Sequence, residues 1–178
     1  METEGALESM RIHSFPPVID ERARVLVCGT APSVKSLEHG QFYGHPQNFF
    51  WPLVYRLFGE READPIYTNR IAFLQEHRLA LWDVIESCER EGSLDVNIRA
   101  AVPNPIPKLV AEYPQLRCIA FNGSKAYDTF RKHFRHESCF EGMALLKLPS
   151  TSPIPTPRMR TLEDRVEAWK EIVPYTSG

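Results

Sequence analysis

Four short apolar runs, each separated from the next by helical or loop material, constrain this 178-residue chain more than any other feature. They are Val25-Leu26-Val27-Cys28, Leu79-Ala80-Leu81-Trp82-Asp83-Val84-Ile85, Cys118-Ile119-Ala120-Phe121 and Ala144-Leu145-Leu146-Lys147-Leu148. Short apolar runs bounded by turn residues read as buried strands, here over 24–29, 79–85, 118–121 and 144–148. Helical patterns fall between and after them, over 47–58, 68–77, 105–113, 124–134 and 161–173. The signals are Thr68 as an N-cap, Ala126, Phe130 and Phe134 on one face, and Thr161-Leu162-Glu163-Asp164 in the form of a capping box. Residues 86–92 read as a charged turn and 93–99 as a short helix or turn. This alternation predicts a parallel or mostly parallel sheet with helices on both faces. Three of the strands run out into Gly29-Thr30, Asn122-Gly123 and Pro149-Ser150-Thr151-Ser152. In a parallel sheet those ends share one rim, and the rim is where open α/β sheets bind ligands.

The length suits one domain, placed at 11–178, behind a polar tail at 1–10 expected to be disordered. The net charge of −2 argues against a polycationic coat, but leaves room for a local basic groove. Cys28, Cys88, Cys118 and Cys139 are scattered, with no CxxC pair. They read as reduced thiols of a cytoplasmic protein, and no clustered ligands mark a metal site. No apolar stretch approaches a membrane span, and residues 1–10 lack a signal-peptide core.

The rim shows no nucleophile with an obvious base. There is no GxGxxG and no GxxxxGK[ST], so the dinucleotide and P-loop readings are weak. What it does hold is flat aromatics, asparagines, Ser/Thr-rich loops and arginines. Aromatics stack bases, asparagine pairs with purine edges, and hydroxyls and loop amides bind phosphates. Together these suit an enzyme that holds a nucleotide extruded from a duplex.

Three segments then carry a resemblance: Gly29-Thr30-Ala31-Pro32-Ser33, Tyr43-Gly44-His45-Pro46-Gln47-Asn48-Phe49-Phe50-Trp51 and Leu148-Pro149-Ser150-Thr151-Ser152-Pro153. In their order and placement at strand ends they resemble the uracil-DNA glycosylase superfamily. Within it the likeness is to the hypoxanthine-DNA (deoxyinosine) glycosylase family, over about residues 10–173.

The resemblance implies a three-layer α/β/α sandwich with a central four-stranded parallel sheet. It also implies hydrolysis of the bond between a deaminated base and deoxyribose in base excision repair, without metal or cofactor. Many superfamily members carry a catalytic Asn or Asp two residues after the first glycine, where this chain has Ala31. The hypoxanthine family shares that lack, and the resemblance moves the catalytic role to Asn48, with Asn122 as the second important asparagine. Tyr43 is then the stacking platform for the base, with Thr30, Ala31 and Phe49 beside it. Ser33, Ser150, Thr151 and Ser152 are expected to grip phosphates, Ile154 to fill the gap left by the flipped base, and Arg158 and Arg160 to meet the backbone. The expected partner is double-stranded DNA carrying a deaminated base, with single-stranded DNA as a further possibility. A monomer is expected, away from membranes, in the cytoplasm and beside the nucleoid in a prokaryote.

Structural alternatives stand beside these roles. Asn48 has the residue type that caps a helix starting near Phe49, and the two roles can coexist. Asp83 and Asp95 read as buried acceptors that hold loops. The functional alternatives are a uracil or xanthine glycosylase using the same pocket, a catalytically inactive DNA-binding relative, and a hydrolase of free nucleosides.

Overall fold

In the computed structural model, residues 11–177 are described, so the tail expected at 1–10 lies outside the described residues. The strands are β1 Arg11–His13, β2 Val25–Gly29, β3 Leu79–Asp83, β4 Ile85–Glu89, β5 Arg99–Pro103, β6 Cys118–Asn122 and β7 Ala144–Leu148. The helices are α1 Val34–His39, α2 Phe50–Leu57, α3 Tyr67–Glu76, α4 Ile106–Glu112, α5 Ser124–Phe134 and α6 Leu162–Trp169.

Four strands form a parallel sheet in the order β3-β2-β6-β7, flanked by helices. Every residue of β2, β3 and β6 is buried, which is why each reads as an unbroken apolar run. β7 is an edge strand, and most of its residues are only partly buried. β3 is the other edge, yet it too is wholly buried. Val18 bridges it, exchanging amide-to-carbonyl bonds with Leu81 at 2.9 Å in both directions. That contact occupies groups which an open edge would leave free for pairing with another chain.

The chain goes from β2 outward to β3, then crosses back over β2 to β6 and outward again to β7. The order therefore reverses between β2 and β6, and such a switch point opens a crevice beyond the carboxyl ends of the two strands. Gly29 ends β2 and Asn122 ends β6, so the crevice lies between two segments singled out by the sequence.

A second sheet, antiparallel in the order β1-β4-β5, departs from the sequence reading. The run over 79–85 is in fact two strands. β3 stops at Asp83, the chain turns at Val84, and β4 begins at Ile85 in the other sheet. The charged turn over 86–92 is largely β4. Its exposed Glu86 and Glu89 hide a strand whose Ile85, Ser87 and Cys88 are buried, and register shifts against β5 break the alternation further.

Two helix ends also differ. α3 starts at Tyr67 without a side-chain cap from Thr68; the Asp64 carboxylate instead accepts from the Ile66 amide at 2.8 Å. The closing helix stops at Trp169 and continues as a 3-10 segment, Lys170–Thr176, with Pro174 inside it. The capping box of Thr161 and Asp164 is present, with both reciprocal bonds formed.

Candidate active site

The crevice begins at Gly29, where the absence of a side chain is a steric requirement. A Cβ there would stand 2.6 Å from Asp83 Oδ1 and 3.0 Å from the Tyr43 hydroxyl oxygen. Next to it, Thr30 is 7% exposed and donates its hydroxyl to Asp95 Oδ2 at 3.3 Å. Ala31 is partly buried and brings no polar atom. Ser33 is the N-cap of α1, its oxygen accepting from the Ser36 amide at 3.1 Å. That hydroxyl is thus engaged in starting a helix, not turned out towards a phosphate.

The loop that follows is held at several points. The Phe42 amide donates to the Tyr67 hydroxyl at 3.0 Å, Trp51 Nε1 to the Phe42 carbonyl at 2.9 Å, and the Gly44 amide to Ser36 Oγ at 3.0 Å. Between these ties Tyr43 adopts φ of 54°, in the left-handed region that a non-glycine residue rarely occupies. Its ring stacks on Phe50, with centroids 4.1 Å apart and planes inclined by 30°. Its hydroxyl is buried beside Asp83 and Asn122 without a hydrogen-bond partner of good geometry among the described residues. Burial, and then the Asp83 charge, push the phenol well above its ordinary value, so the buried ring is neutral.

Asn48 closes the loop. Its amide donates to the His45 carbonyl at 3.0 Å, and its Oδ1 accepts from the Phe50 amide at 2.9 Å. The N-cap of α2 is Phe49, without a side-chain cap, so Asn48 supports the helix start from one residue before the cap, and that bond orients its side chain: with Oδ1 tied to the Phe50 amide, the Nδ2 end is left for other work. Asn48 lines a groove of about 490 Å³ with Gln47, Phe49, Pro52, Pro153 and Leu162. The Phe49 ring forms part of that wall, and its other contact is the Arg165 guanidinium, 4.2 Å from the ring centroid.

On the far side, Asn122 and Thr151 form a two-point clamp. Asn122 Nδ2 donates to Thr151 Oγ1 and Oδ1 accepts from the Thr151 amide, both at 2.9 Å. Thr151 is 1% exposed, so its hydroxyl faces the asparagine rather than a phosphate. Its carbonyl accepts from the Phe49 amide at 2.9 Å, joining the two sides of the crevice. Ser150 Oγ accepts from the Ser152 amide at 3.1 Å, and Ser152 Oγ from the Ile154 amide at 3.4 Å. These hydroxyls shape the loop that carries Ile154, which is 58% exposed. Arg158 and Arg160 are exposed further along the same loop.

One residue of this site escaped the sequence reading of function. Arg165, on α6, is 1% exposed. It donates Nε to the Ser150 carbonyl at 3.1 Å, Nη2 to Ser152 at 3.0 Å and Nη1 to Thr161 at 3.1 Å. Four residues on, Trp169 Nε1 donates to the Pro149 carbonyl at 2.9 Å. The whole 149–152 turn therefore hangs from one face of α6. The signal was available: an arginine spaced three and four residues from Leu162 and Trp169 sits on the apolar face of a helix, where a charge needs partners.

Asp83, expected as a buried acceptor that holds a loop, stands beside Gly29 in the crevice. It is 4% exposed and its Oδ2 has no hydrogen-bond partner among the described residues. Burial, and then Asp95, push its carboxyl up to about 7, while Arg90 opposes the shift. A folded-state value above the ordinary 3.8 means stability that is present at low pH and is lost as pH rises from 4 through 7. Asp83→Asn stays neutral throughout. Its melting temperature relative to wild type is expected to climb between pH 4 and pH 7 and to level off above. A difference that is flat with pH would show that Asp83 ionises normally in the fold.

A four-stranded parallel sheet with a crevice of amides, hydroxyls and aromatics at its switch point defines an open α/β protein of the kind that binds ligands beyond its strand ends. The chain belongs to the uracil DNA glycosylase superfamily, whose family model matches residues 16–173. It is 38% identical over 164 residues to a hypoxanthine DNA glycosylase of Methanosarcina barkeri, covering 91% of this chain and 98% of that protein. It is 41% identical over 160 residues to one of Methanosarcina acetivorans, covering 89% and 95%. Among solved structures, the solution NMR structure of a provisionally named uracil DNA glycosylase from Methanosarcina acetivorans superposes with a TM-score of 0.78. It is 34% identical and covers 94% of this chain and 99% of that one.

Proposed function

We propose that this chain is a DNA glycosylase of base excision repair that hydrolyses the N-glycosidic bond of deoxyinosine and releases hypoxanthine. The observation that carries this is its near full-length likeness to two proteins named hypoxanthine DNA glycosylase. The geometry of the crevice supports it. The deoxyinosine leaves the duplex, and its base enters the crevice against Tyr43, beside Thr30, Ala31 and Phe49. Paying out the unpairing cost is easiest at a damaged pair, which is one source of selectivity.

As the bond between C1′ and the base breaks, its electron pair leaves with the base and the sugar becomes oxocarbenium-like. Water adds to C1′ and gives up a proton, and the base takes one up. Asn48 orients the water through its amide. An amide is a poor base, but so electrophilic a carbon needs little base strength, and preorganised dipoles do most of the work. Asn122 meets the base edge. Its clamp to Thr151 uses one amide hydrogen and one lone pair, leaving one of each for the base. Thr151 thus fixes which way that amide faces, while Ile154 fills the space left in the stack. Ser33, Ser150 and Ser152 support the backbone contacts from behind, and Arg158 and Arg160 supply positive charge to the phosphates.

The proposal takes the chain 11–178 as one catalytic domain, acting as a monomer on double-stranded DNA in the cytoplasm. No described helix is long and apolar enough to cross a membrane. The test is product analysis on duplexes carrying deoxyinosine, deoxyuridine or deoxyxanthosine, with alkaline cleavage of the abasic strand. Hypoxanthine release fastest of the three is the expected outcome, and no release from any of them would overturn the proposal.

A further inference from the structure

Ile154 is not the only apolar group that projects from this rim. Residues 90–98 form a second projection, and they are tied down at every turn. At its root Arg90 is 4% exposed and donates Nε to the Gly92 carbonyl at 2.8 Å and Nη2 to the Pro32 carbonyl. Ser93 Oγ accepts from the Val34 amide at 2.9 Å, and Asp95 Oδ2 accepts from the Thr30 hydroxyl. Asn97 Nδ2 donates to the Glu91 carbonyl at 3.4 Å, and Asp95–Asn97 is a turn of 3-10 helix. The tip of this fixed loop is apolar. Val96 is 86% exposed, Leu94 51%, and the adjoining Val34 41%.

A fixed loop that presents apolar side chains to water forgoes the burial they would have in a core, and such surfaces mark contacts. Three observations say what this one meets. It is bonded through Thr30 to the crevice itself. It joins β4 to β5 and is bonded to Thr30, Pro32 and Val34 in the segment that follows β2, whereas Ile154 follows β7, so the two apolar projections are anchored on opposite sides of the crevice between β2 and β6. Finally, Lys125, in the first turn of α5, acts electrostatically on Asp95 and has no ion-pair partner among the described residues. It puts an available positive charge beside the apolar tip, as a DNA backbone requires.

We propose that the Leu94–Val96 turn is a second wedge, which enters duplex DNA on the side of the extruded nucleotide opposite to Ile154. The inference rests on the reading of the chain as a base-extruding glycosylase. Apolar side chains pressed between base steps unstack and bend a duplex. Two of them astride one lesion hold the bend from both sides, and the nucleotide between them is the one that leaves the stack.

The test compares wild type with a Leu94→Ser/Val96→Ser variant. Single-turnover excision is measured on deoxyinosine in a fully paired duplex and on deoxyinosine in an unpaired bubble, where no stack has to be opened. The variant should be about tenfold slower on the paired duplex, a loss of about 1.4 kcal/mol, and within twofold of wild type on the bubble. Its melting temperature should be unchanged. Equal rates on both substrates, or an equal loss on both, would overturn the wedge. A second measurement does not depend on catalysis: 2-aminopurine placed beside the lesion site should brighten when wild type binds and stay dark with the variant. Brightening with both would also refute the wedge. Failure of wild type to excise any base while the fluorescence difference persists would instead count against the glycosylase reading alone.

Discussion

Replacing Asn48 by alanine is expected to slow single-turnover release of hypoxanthine by about 10²–10³-fold, the usual cost of removing one preorganised dipole from a transition state. Binding to an uncleavable deoxyinosine duplex should change little. The interpretation needs a control, because Asn48 also holds the Phe50 amide at 2.9 Å. Losing that bond alone costs roughly 0.5–2 kcal/mol of stability, as for a lost helix cap. Asn48→Ser separates the two roles. Serine restores an acceptor at the start of α2 but has no amide, so it should recover the melting temperature and not the rate. If serine recovers both, the asparagine is only a cap and the catalytic group lies elsewhere in the crevice.

The largest effect on the fold should come from Arg165→Ala. Its guanidinium fork satisfies the carbonyls of Ser150, Ser152 and Thr161 and covers the Phe49 ring. Each buried acceptor left unpaired costs about 1–3 kcal/mol, and water will reach the outer ones. A loss on the order of 3–5 kcal/mol in urea unfolding is therefore expected. Arg165→Lys keeps the charge but not the planar fork, and should fall between alanine and wild type. An alanine variant as stable as wild type would mean that the 149–152 turn holds its shape without α6.

Of the four parallel strands, β2, β3 and β6 were legible because both of their faces are covered, which leaves an apolar run, and β7, only partly buried, still carries four apolar residues in five. β1, β4 and β5 were not, because a sheet with one exposed face and irregular register writes Glu86 and Glu89 into the same string as Ile85 and Cys88. For the crevice, strand ends and turn residues are local signals, so Gly29, Tyr43 and Asn122 could be placed at one rim, where the structure brings them together. Direction was the missing information. That Thr151 points inward to Asn122, and that Ser33 is used up in starting α1, depends on side-chain angles that spacing does not carry. Arg165 acts on carbonyls 13 and 15 residues away in sequence, and backbone acceptors leave no mark in a sequence at all.

The hydrogen bonds that join Asn122 to Thr151 and Thr151 to Phe49 have a consequence for discrimination. Thr151 belongs to the same turn as Ile154, so displacing that turn must disturb the Asn122 amide, and through Phe49 the start of the helix next to Asn48. Coupling between sites is reciprocal. Under the roles proposed for Asn122 and Ile154, a base that suits the Asn122 amide tightens the grip of the loop on the duplex, and a duplex that resists the loop weakens the hold on the base. Affinity for bent DNA and choice of base are then two measurements of a single free energy, and a substitution that alters one of them without the other has to lie outside this turn.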